Sequence, residues 1–299
     1  MSLSQWGLLV LLSGLWGGSF LFVGIAVKEL PPLTLVLIRV ALAAAVLVPF
    51  VYATGQRLPT SLQAWLPFLV MAVLNNLIPF LLIVNGQKVV ASGLASVLNA
   101  TTPMFTLILA HWFFAEEKLH TNKLIGVSFG MVGVALLVGP EALIGRTSSV
   151  VGMMCLLAAT LSYAFAGLWG RRLKASPPLV TAASQLVCST LLLIPLASLV
   201  DQPWRLPMPS RDVVVAMIAS ATLSTALAYI LFFRILAASG ASNVQLVTLL
   251  IPLTAIPLGT WWLGEHLLAR HFAGALVIGL SLLVIDGRLY QWLTMTQRS

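Results

Sequence analysis

The chain has 299 residues, of which 60% are hydrophobic and 8% are charged, and its formal net charge is +8. Roughly a quarter of an ordinary soluble domain is charged, so this composition excludes a soluble globular protein and indicates one that resides in a lipid bilayer. The positive charge does not indicate nucleic-acid binding, because no soluble basic face exists to carry it. Basic residues at the membrane edges account for it better.

Apolar stretches recur along the whole chain. A transmembrane helix needs about 20 apolar residues to cross a hydrocarbon core of about 30 Å. Charges and turn formers gather in short breaks between such stretches, which leaves no room for a soluble domain. We predict an all-α integral membrane protein with ten transmembrane helices, called spans 1–10, at 6–27, 33–53, 62–84, 92–114, 122–139, 150–170, 178–200, 211–236, 241–263 and 269–288.

Spans 4 and 9 carry the same residue pattern at a constant offset of 149 positions (245 − 96). The pattern is Ser96, Asn99, Pro103, Trp112 and Glu116 in the first copy, and Gln245, Thr248, Pro252, Trp261 and Glu265 in the second. Each half would then hold five spans, so the second half must enter the bilayer from the opposite side. We predict two inverted five-helix repeats, residues 1–145 and 146–299, around a central cavity that works by alternating access.

Polar side chains on these two spans form the main candidate for substrate binding. Ser96 and Asn99 share one helix face, as do Gln245 and Thr248. An unpaired amide in lipid costs several kcal/mol, so these groups should face the bundle interior or a wet cavity. The alternative is that they only hold helices together.

Span 3 adds a polar doublet, Asn75 and Asn76, which lies opposite Ser224 and Thr225 at the same offset. Asn76 is therefore a further candidate for substrate binding.

Spans 1 and 6 contribute aromatic candidates. A substrate could stack on an aromatic ring beside thin glycine backbone, although helix packing is the commoner use of such rings. Small residues four positions apart, such as Gly14 and Gly18, also allow close helix approach. The further candidates for substrate contact are Trp16, Ser19 and Tyr163.

Two prolines and two glycines are candidates for gating. Pro103 and Pro252 each free a backbone carbonyl one turn upstream, where it could accept a hydrogen bond from a substrate ammonium. Together with Gly17 and Gly18 they could act as hinges. The alternative for the prolines is a static kink that serves packing.

Arg39 is the one basic residue that lies well inside a span, near the outer end of span 2. Its repeat counterpart is the uncharged Gln185. Two interpretations remain open for Arg39, a structural partner for backbone carbonyls or a guide for a substrate carboxylate.

The end of each polar pattern resembles a known repeat. Ala115–Glu116 and Gly264–Glu265 close aromatic-rich helix ends, and each is followed by a glycine-studded helix, with Gly126, Gly130 and Gly133 in the first copy and Gly274 and Gly279 in the second. This arrangement resembles the EamA repeat of the drug/metabolite transporter superfamily, and is most similar to the YddG-type bacterial aromatic amino acid exporters. The resemblance implies a bacterial inner-membrane carrier whose cavity is walled by spans 1–4 and 6–9.

Absences narrow the function. All eight acidic residues sit at span ends or in loops, whereas a proton-coupled cation exporter normally needs a buried carboxylate. No metal cluster, cofactor motif or nucleophile–base pair is recognisable, so we expect neither an enzyme nor a bound cofactor or metal. We predict a carrier that exports amino acids, aromatic and other hydrophobic ones favoured, and related small metabolites, without strong ion coupling. The alternative is a proton-coupled multidrug or organic-cation exporter.

Topology and assembly follow from charge and repeat. The spans place nine basic residues on the side of the N-terminus (Arg57, Lys118, Lys123, Arg171, Arg172, Lys174, Arg234, Arg288 and Arg298) and six on the other side (Lys28, Lys88, Arg146, Arg205, Arg211 and Arg270). Cytoplasmic loops carry the excess of Lys and Arg, so both termini should be cytoplasmic. We expect a monomer that contacts lipid and its small-molecule substrate; a dimer is the alternative.

Overall fold

The computed structural model describes residues 3–113, 121–138, 148–239 and 247–286, and the regular structure in these ranges is helical. We number the α-helices in chain order as α1 Leu3–Ala26, α2 Pro32–Ala53, α3 Leu62–Ala72, α4 Ile78–Gln87, α5 Ser92–Asn99, α6 Thr102–Phe113, α7 Thr121–Val138, α8 Ser148–Gly170, α9 Pro178–Val200, α10 Arg211–Ala221, α11 Ala228–Ser239, α12 Val247–Leu263 and α13 Ala269–Asp286.

Within these ranges, seven helical segments are long and apolar enough to cross a bilayer, and three shorter apolar helices accompany them. The shorter helices, Leu124–Leu136, Leu250–Leu263 and Ala269–Val284, coincide with predicted spans 5, 9 and 10. The all-helical membrane fold is thus as expected. The count of ten complete spans stays a prediction.

Two spans contain a π-helical stretch near their middle. Val73–Leu77 joins α3 to α4, and Thr222–Leu227 joins α10 to α11. A π turn inserts an extra residue, which leaves the regular hydrogen-bond ladder locally incomplete and is frequent at functional sites. The hydroxyl of Thr225 fills one such gap by donating to the carbonyl of Ser220 at 2.9 Å. Both predicted polar doublets lie in these stretches.

The two proline-containing spans differ in shape. Span 4 is interrupted, because α5 ends at Asn99 and α6 begins at Thr102 with Pro103 in its first turn. Pro103 cannot donate to the Asn99 carbonyl, and the hydroxyl of Thr102 donates to it instead at 2.8 Å. The acceptor that we expected Pro103 to free thus already receives a hydrogen bond. In contrast, α12 continues unbroken through Pro252.

The main helix contacts cross between the two halves of the chain. Helix α1 packs on α10, α11 and α12, α2 packs on α9, and α7 packs on α13, while α8 packs on α4, α5 and α6. The buried apolar core accordingly draws on both halves, with Leu9, Leu35, Leu186 and Ile278 among its fully buried side chains.

Gly17 marks a close contact between α1 and α12. A Cβ atom at Gly17 would overlap Oγ1 of Thr254 and would lie 3.0 Å from the backbone nitrogen of Ala255. No neighbour lies within 4 Å of a Cβ at Gly14, and at Gly18 it would meet only Phe22 of its own helix. Our expectation of close approach at Gly14 and Gly18 is therefore wrong, because α12 passes over the Gly17 face.

Replacing Gly17 by alanine should lower the free energy of unfolding. Overpacking a tight helix contact costs about 1–3 kcal/mol. Thermal unfolding of the detergent-solubilised protein measures the effect. Gly7→Ala is the matched control, since a Cβ at Gly7 meets nothing within 4 Å. Equal melting temperatures for the two variants would contradict the close packing.

Candidate functional site

A cavity of about 590 Å³ lies at the centre of the bundle. Its lining comes from α1, α2, the spans that contain the π stretches, α5, α6, α8, α9 and α12. None of the described residues of α7 or α13 lines it, and these two helices pack on each other. The volume lies in the range of small-molecule sites, about 300–1,000 Å³.

The cavity reaches one end of the bundle. We call the end at which α1 begins, with connections 54–61 and 171–177, the proximal end. The distal end holds connections 27–31, 88–91, 201–210 and 264–268. Lys174 and Ser176, in a proximal connection, line the cavity, and Lys174 is exposed. The cavity is thus open to solvent at the proximal end.

Arg39 brings a buried positive charge to the cavity wall. Its side chain is only 7% exposed. Its Nε donates to Oγ1 of Thr225 at 3.0 Å, and its guanidinium carbon lies 4.2 Å from the ring centroid of Phe80. Among the described residues that line the cavity, Arg39 and Lys174 are charged and neither Asp nor Glu occurs. The wall thus offers cations and no carboxylate.

Two amide oxygens of the lining are buried without a hydrogen-bond partner in the described part of the chain. They are Oδ1 of Asn99 and Oε1 of Gln87. The other end of the Gln87 amide is engaged, because Nε2 donates to the carbonyl of Phe20 at 2.8 Å. A buried acceptor without a donor costs about 1–3 kcal/mol, so a substrate group with N–H donors would be stabilised here.

Aromatic rings form a continuous wall. The ring centroids of Trp16 and Phe232 are 5.7 Å apart, those of Phe232 and Phe233 are 5.2 Å apart, and those of Phe233 and Tyr229 are 6.2 Å apart. These separations suit offset or edge-to-face packing. Tyr163 also lines the cavity.

A hydrogen-bonded network supports the wall between the first π stretch and the second half. Asn75 Nδ2 donates to Oε1 of Gln185 at 3.1 Å and to the hydroxyl of Tyr229 at 3.2 Å. Asn76 Nδ2 donates to Oγ of Ser189 at 3.0 Å. These bonds satisfy polar groups that lipid could not, and they fix the orientation of the Tyr229 ring.

The structure brings five of the predicted substrate-binding residues to the cavity, namely Trp16, Ser19, Asn99, Tyr163 and Thr248. Asn76 and Ser96 are fully buried outside the lining, where Ser96 donates to the carbonyl of Gly93 at 2.6 Å. Gln245 lies outside the described residues. The proposed gating residues Pro103, Pro252, Gly17 and Gly18 do not line the cavity, and their role stays a prediction.

Several lining residues were not predicted from the sequence. Tyr229, Phe232, Phe233 and Leu236 recur at positions i, i+3, i+4 and i+7 on one face of α11. This periodicity was available in the sequence, because aromatic residues on one face of a helix beside a polar doublet indicate a lining surface. Gln87 carries no comparable signal, since it falls at a helix end.

The distal end is fastened by three carboxylates, each of which accepts hydrogen bonds from the start of a helix in the other half. Asp201 accepts from the backbone nitrogen of Thr34 at 2.7 Å and from its hydroxyl at 3.0 Å, at the start of α2. Glu29 accepts from the backbone nitrogen of Ser210 at 2.7 Å, before α10. A negative charge at a helix N-terminus is favoured by the helix dipole.

The third carboxylate, Glu265, makes the most contacts. It accepts from the backbone nitrogen and hydroxyl of Ser92 at 2.7 and 2.8 Å and from the backbone nitrogen of Gly93 at 3.2 Å. Gly264 has a φ of +65°, which turns the chain back toward α5. A Cβ at Gly259 would overlap the carboxylate, so this glycine leaves the space in which Glu265 sits.

The pKa of Glu29 is lowered, chiefly by the hydrogen bond from the Ser210 backbone nitrogen. A carboxyl group with a depressed folded-state pKa stabilises the folded protein above its unfolded pKa, and this stabilisation is lost as the pH falls through the folded value. The contact of Glu29 therefore persists across neutral pH.

A helical membrane protein with a central cavity open at one end and fastened at the other has the architecture of a membrane transporter. The family comparison agrees with this. Residues 4–139 and 150–286 each match the EamA-like transporter family, so the chain belongs to that family. Membership in a transporter family favours transport over catalysis. Among the described residues, no three His, Cys, Asp or Glu side chains group to hold a metal ion.

Relatives agree with this assignment. YoaV of Bacillus subtilis (strain 168), described as an uncharacterized transporter, is 24% identical over 88% of this chain and 90% of its own length. YedA of Escherichia coli (strain K12), described as an uncharacterized inner membrane transporter, is 27% identical over 89% of this chain and 85% of its own length. A solved crystal structure matches 93% of this chain and 96% of its own chain at 15% identity, with a TM-score of 0.66, which indicates a shared fold.

Replacing Glu265 by glutamine should weaken the distal closure. The amide keeps the shape of the side chain but loses the charge, and hydrogen bonds to charged groups contribute about 1.5–3 kcal/mol. Spin labels at the exposed residues Val89 and Leu268, one in each half, should report longer distances in Glu265→Gln. Asp212→Asn is the control, an exposed acid at the same end outside the three contacts. Unchanged distances in Glu265→Gln would contradict a role in closure.

Proposed function

We propose that the protein exports amino acids, aromatic and other hydrophobic ones favoured, by alternating access and without strong ion coupling. The observation that carries the proposal is Arg39, a buried cation that faces a cavity whose other described lining, apart from Lys174 at the mouth, is neutral. A buried charge is normally paired with an opposite charge, which offsets the cost of removing it from water. A substrate carboxylate supplies one.

The rest of the lining fits the remaining parts of an amino acid. The unpartnered oxygens of Asn99 and Gln87 can accept hydrogen bonds from the ammonium group. The wall of Trp16 and Phe232 offers apolar area to the side chain, at about 0.5–1.5 kcal/mol of ring interaction beyond burial. Each part of a zwitterion with a hydrophobic side chain thus has a chemically matched surface. This lining supports a YddG-type substrate range.

An organic cation fits less well. Arg39 would repel a positively charged substrate inside the bundle, and the described lining has no carboxylate to attract it or to exchange it for a proton. A doubly charged phosphate ester is also disfavoured, because it would need several cations around it.

The transport cycle follows from the repeat. We infer two inverted halves, residues 1–145 and 146–299, that form ten spans and exchange conformations. Helix contacts support this symmetry. When the two halves are exchanged, the contact of α1 with α12 becomes the contact of α8 with α5 and α6. The contacts of α2 with α9 and of α7 with α13 map onto themselves. The different shapes of the two proline-containing spans support hinges near Pro103 and Pro252.

The orientation follows from charge. With both termini in the cytoplasm of a bacterial inner membrane, as the distribution of Lys and Arg favours, the proximal end faces the cytoplasm. The cavity is then open to the side on which an exporter loads its substrate. We propose that a monomer carries out the whole cycle, with a dimer as the alternative.

Removing the charge of Arg39 should abolish most amino acid transport. Loss of a charged hydrogen bond, worth about 1.5–3 kcal/mol, corresponds to a fall of at least about tenfold at 1.4 kcal/mol per factor of ten. Phenylalanine uptake by proteoliposomes should fall by this factor in Arg39→Gln and less in Arg39→Lys, whereas Lys174→Gln at the exposed mouth serves as control.

Phenylethylamine, which is phenylalanine without its carboxylate, separates the two functions. An amino acid carrier should transport it poorly, and Arg39→Gln should not reduce that rate further. Faster transport of phenylethylamine than of phenylalanine by the wild type would favour the organic-cation exporter. Thermal unfolding of each variant checks that Arg39→Gln folds.

A substitution in the aromatic wall and one at the Asn99 amide should differ in how their effect on transport depends on the substrate. Trp16→Ala should weaken transport of phenylalanine more than that of threonine, because it removes apolar contact area from the larger side chain. Asn99→Ala should weaken both alike, since it removes an acceptor for the shared ammonium, worth about 0.5–1.5 kcal/mol per hydrogen bond. Parallel losses for both substrates in both variants, in step with loss of folded protein, would instead favour a packing role.

A further inference from the structure

A second concavity of about 690 Å³ lies on the bilayer-facing side of the bundle, between α1, α10 with its π stretch, and α12. Its floor is formed by the backbone of α1, because Gly14 and Gly18 carry no side chain. Its apolar walls include Leu21, Phe22, Ile25, Val215, Leu258 and Trp262. We call it the lateral groove.

The lateral groove changes character along its length. At the distal end its mouth carries two cations, Lys28 and Arg211, and two acids, Glu29 and Asp212, all exposed. Toward the middle of the bundle the lining is apolar as far as Gly14, apart from Ser224. From Gly14 to the end of α1 at Ala26 there are 12 residues (26 − 14), or about 18 Å at 1.5 Å per residue. This length is close to one leaflet of a hydrocarbon core that is about 30 Å thick.

The dimensions and charges match one phospholipid. An acyl chain fits the apolar depth of the groove, and the headgroup meets the charged mouth at the level of the membrane surface. Lys28 and Arg211 complement a phosphate, while Glu29 and Asp212 complement a neighbouring ammonium. Trp262 at the rim suits the headgroup level, where tryptophan is enriched in membrane proteins. We propose that the lateral groove binds one phospholipid with a zwitterionic headgroup, of the phosphatidylethanolamine type.

The floor of the groove is also the wall of the central cavity. Ser224 lines both spaces, and its hydroxyl donates to the carbonyl of Leu15 at 2.5 Å. This contact joins α1 of the first half to the π stretch of the second. A bound acyl chain therefore lies beside the contact between α1 and the π stretch, which separates the central cavity from the bilayer.

A side chain placed on the floor tests the site. A Cβ at Gly14 meets nothing within 4 Å, so the side chain of Gly14→Leu can enter the groove. Gly7→Leu is the matched control, because Gly7 is exposed on the same helix, meets nothing within 4 Å and lies outside the groove. Val215→Trp obstructs the groove from α10 and replaces Gly14→Leu if that variant does not fold.

Native mass spectrometry of the purified protein, incubated with phosphatidylethanolamine or phosphatidylglycerol, measures binding. We expect one phosphatidylethanolamine on the wild type and on Gly7→Leu, and at least tenfold less of the bound form in Gly14→Leu or Val215→Trp. The double variant Lys28→Gln, Arg211→Gln should bind less than the wild type. Equal binding to the wild type and to folded groove-obstructing variants would overturn the site, and equal retention of phosphatidylglycerol would overturn the headgroup assignment.

Discussion

A positive charge buried inside a membrane bundle constrains the structure around it. Arg39 is 7% exposed, and a guanidinium in such a place persists only where hydrogen bonds, an aromatic ring or water compensate for the lost solvation. Thr225 accepts from its Nε because the second π stretch presents that hydroxyl to α2, and Phe80 lies against the guanidinium from α4. Arg39 thus depends on three features: the hydroxyl that the π stretch presents, the ring that α4 places beside it, and a cavity that is open to solvent.

The sequence predicted much of this architecture, because the bilayer imposes simple rules. Apolar length indicated the positions of the helices, and the recurrence of one polar pattern predicted a repeat, which agrees with the two segments that match the EamA-like transporter family. The same recurrence directed attention to Asn99 and Thr248, which line the cavity. Ser96 shares the pattern but bonds within its own helix turn, since a serine hydroxyl readily reaches a carbonyl three residues back.

Other features depend on three-dimensional geometry that residue spacing does not reveal. Adjacent residues on a helix point about 100° apart, and only the packing of the bundle decides that Asn75 lines the cavity while its neighbour Asn76 donates to Ser189. Of Gly14, Gly17 and Gly18, only Gly17 meets α12 closely, because α12 passes over that face of α1. The distal contacts join residues more than 160 positions apart, and no periodicity can indicate such pairs.

The repeat copies helices more faithfully than it copies the acids that fasten the distal end. At the offset of 146 that relates Pro31 to Pro177, the counterpart of Glu29 is Ala175 and the counterpart of Asp201 is Gly55. Two of the three acids that fasten the distal end therefore have no acidic counterpart in the other half of the repeat. In the proposed cycle, the transition to the opposite state breaks these bonds, and no acid at the repeat counterparts of Glu29 and Asp201 replaces them, so we expect the two states to differ in energy. With the proposed orientation and cycle, we expect an empty carrier to rest facing the cytoplasm, so that substrate binding has to supply the energy difference between the two states.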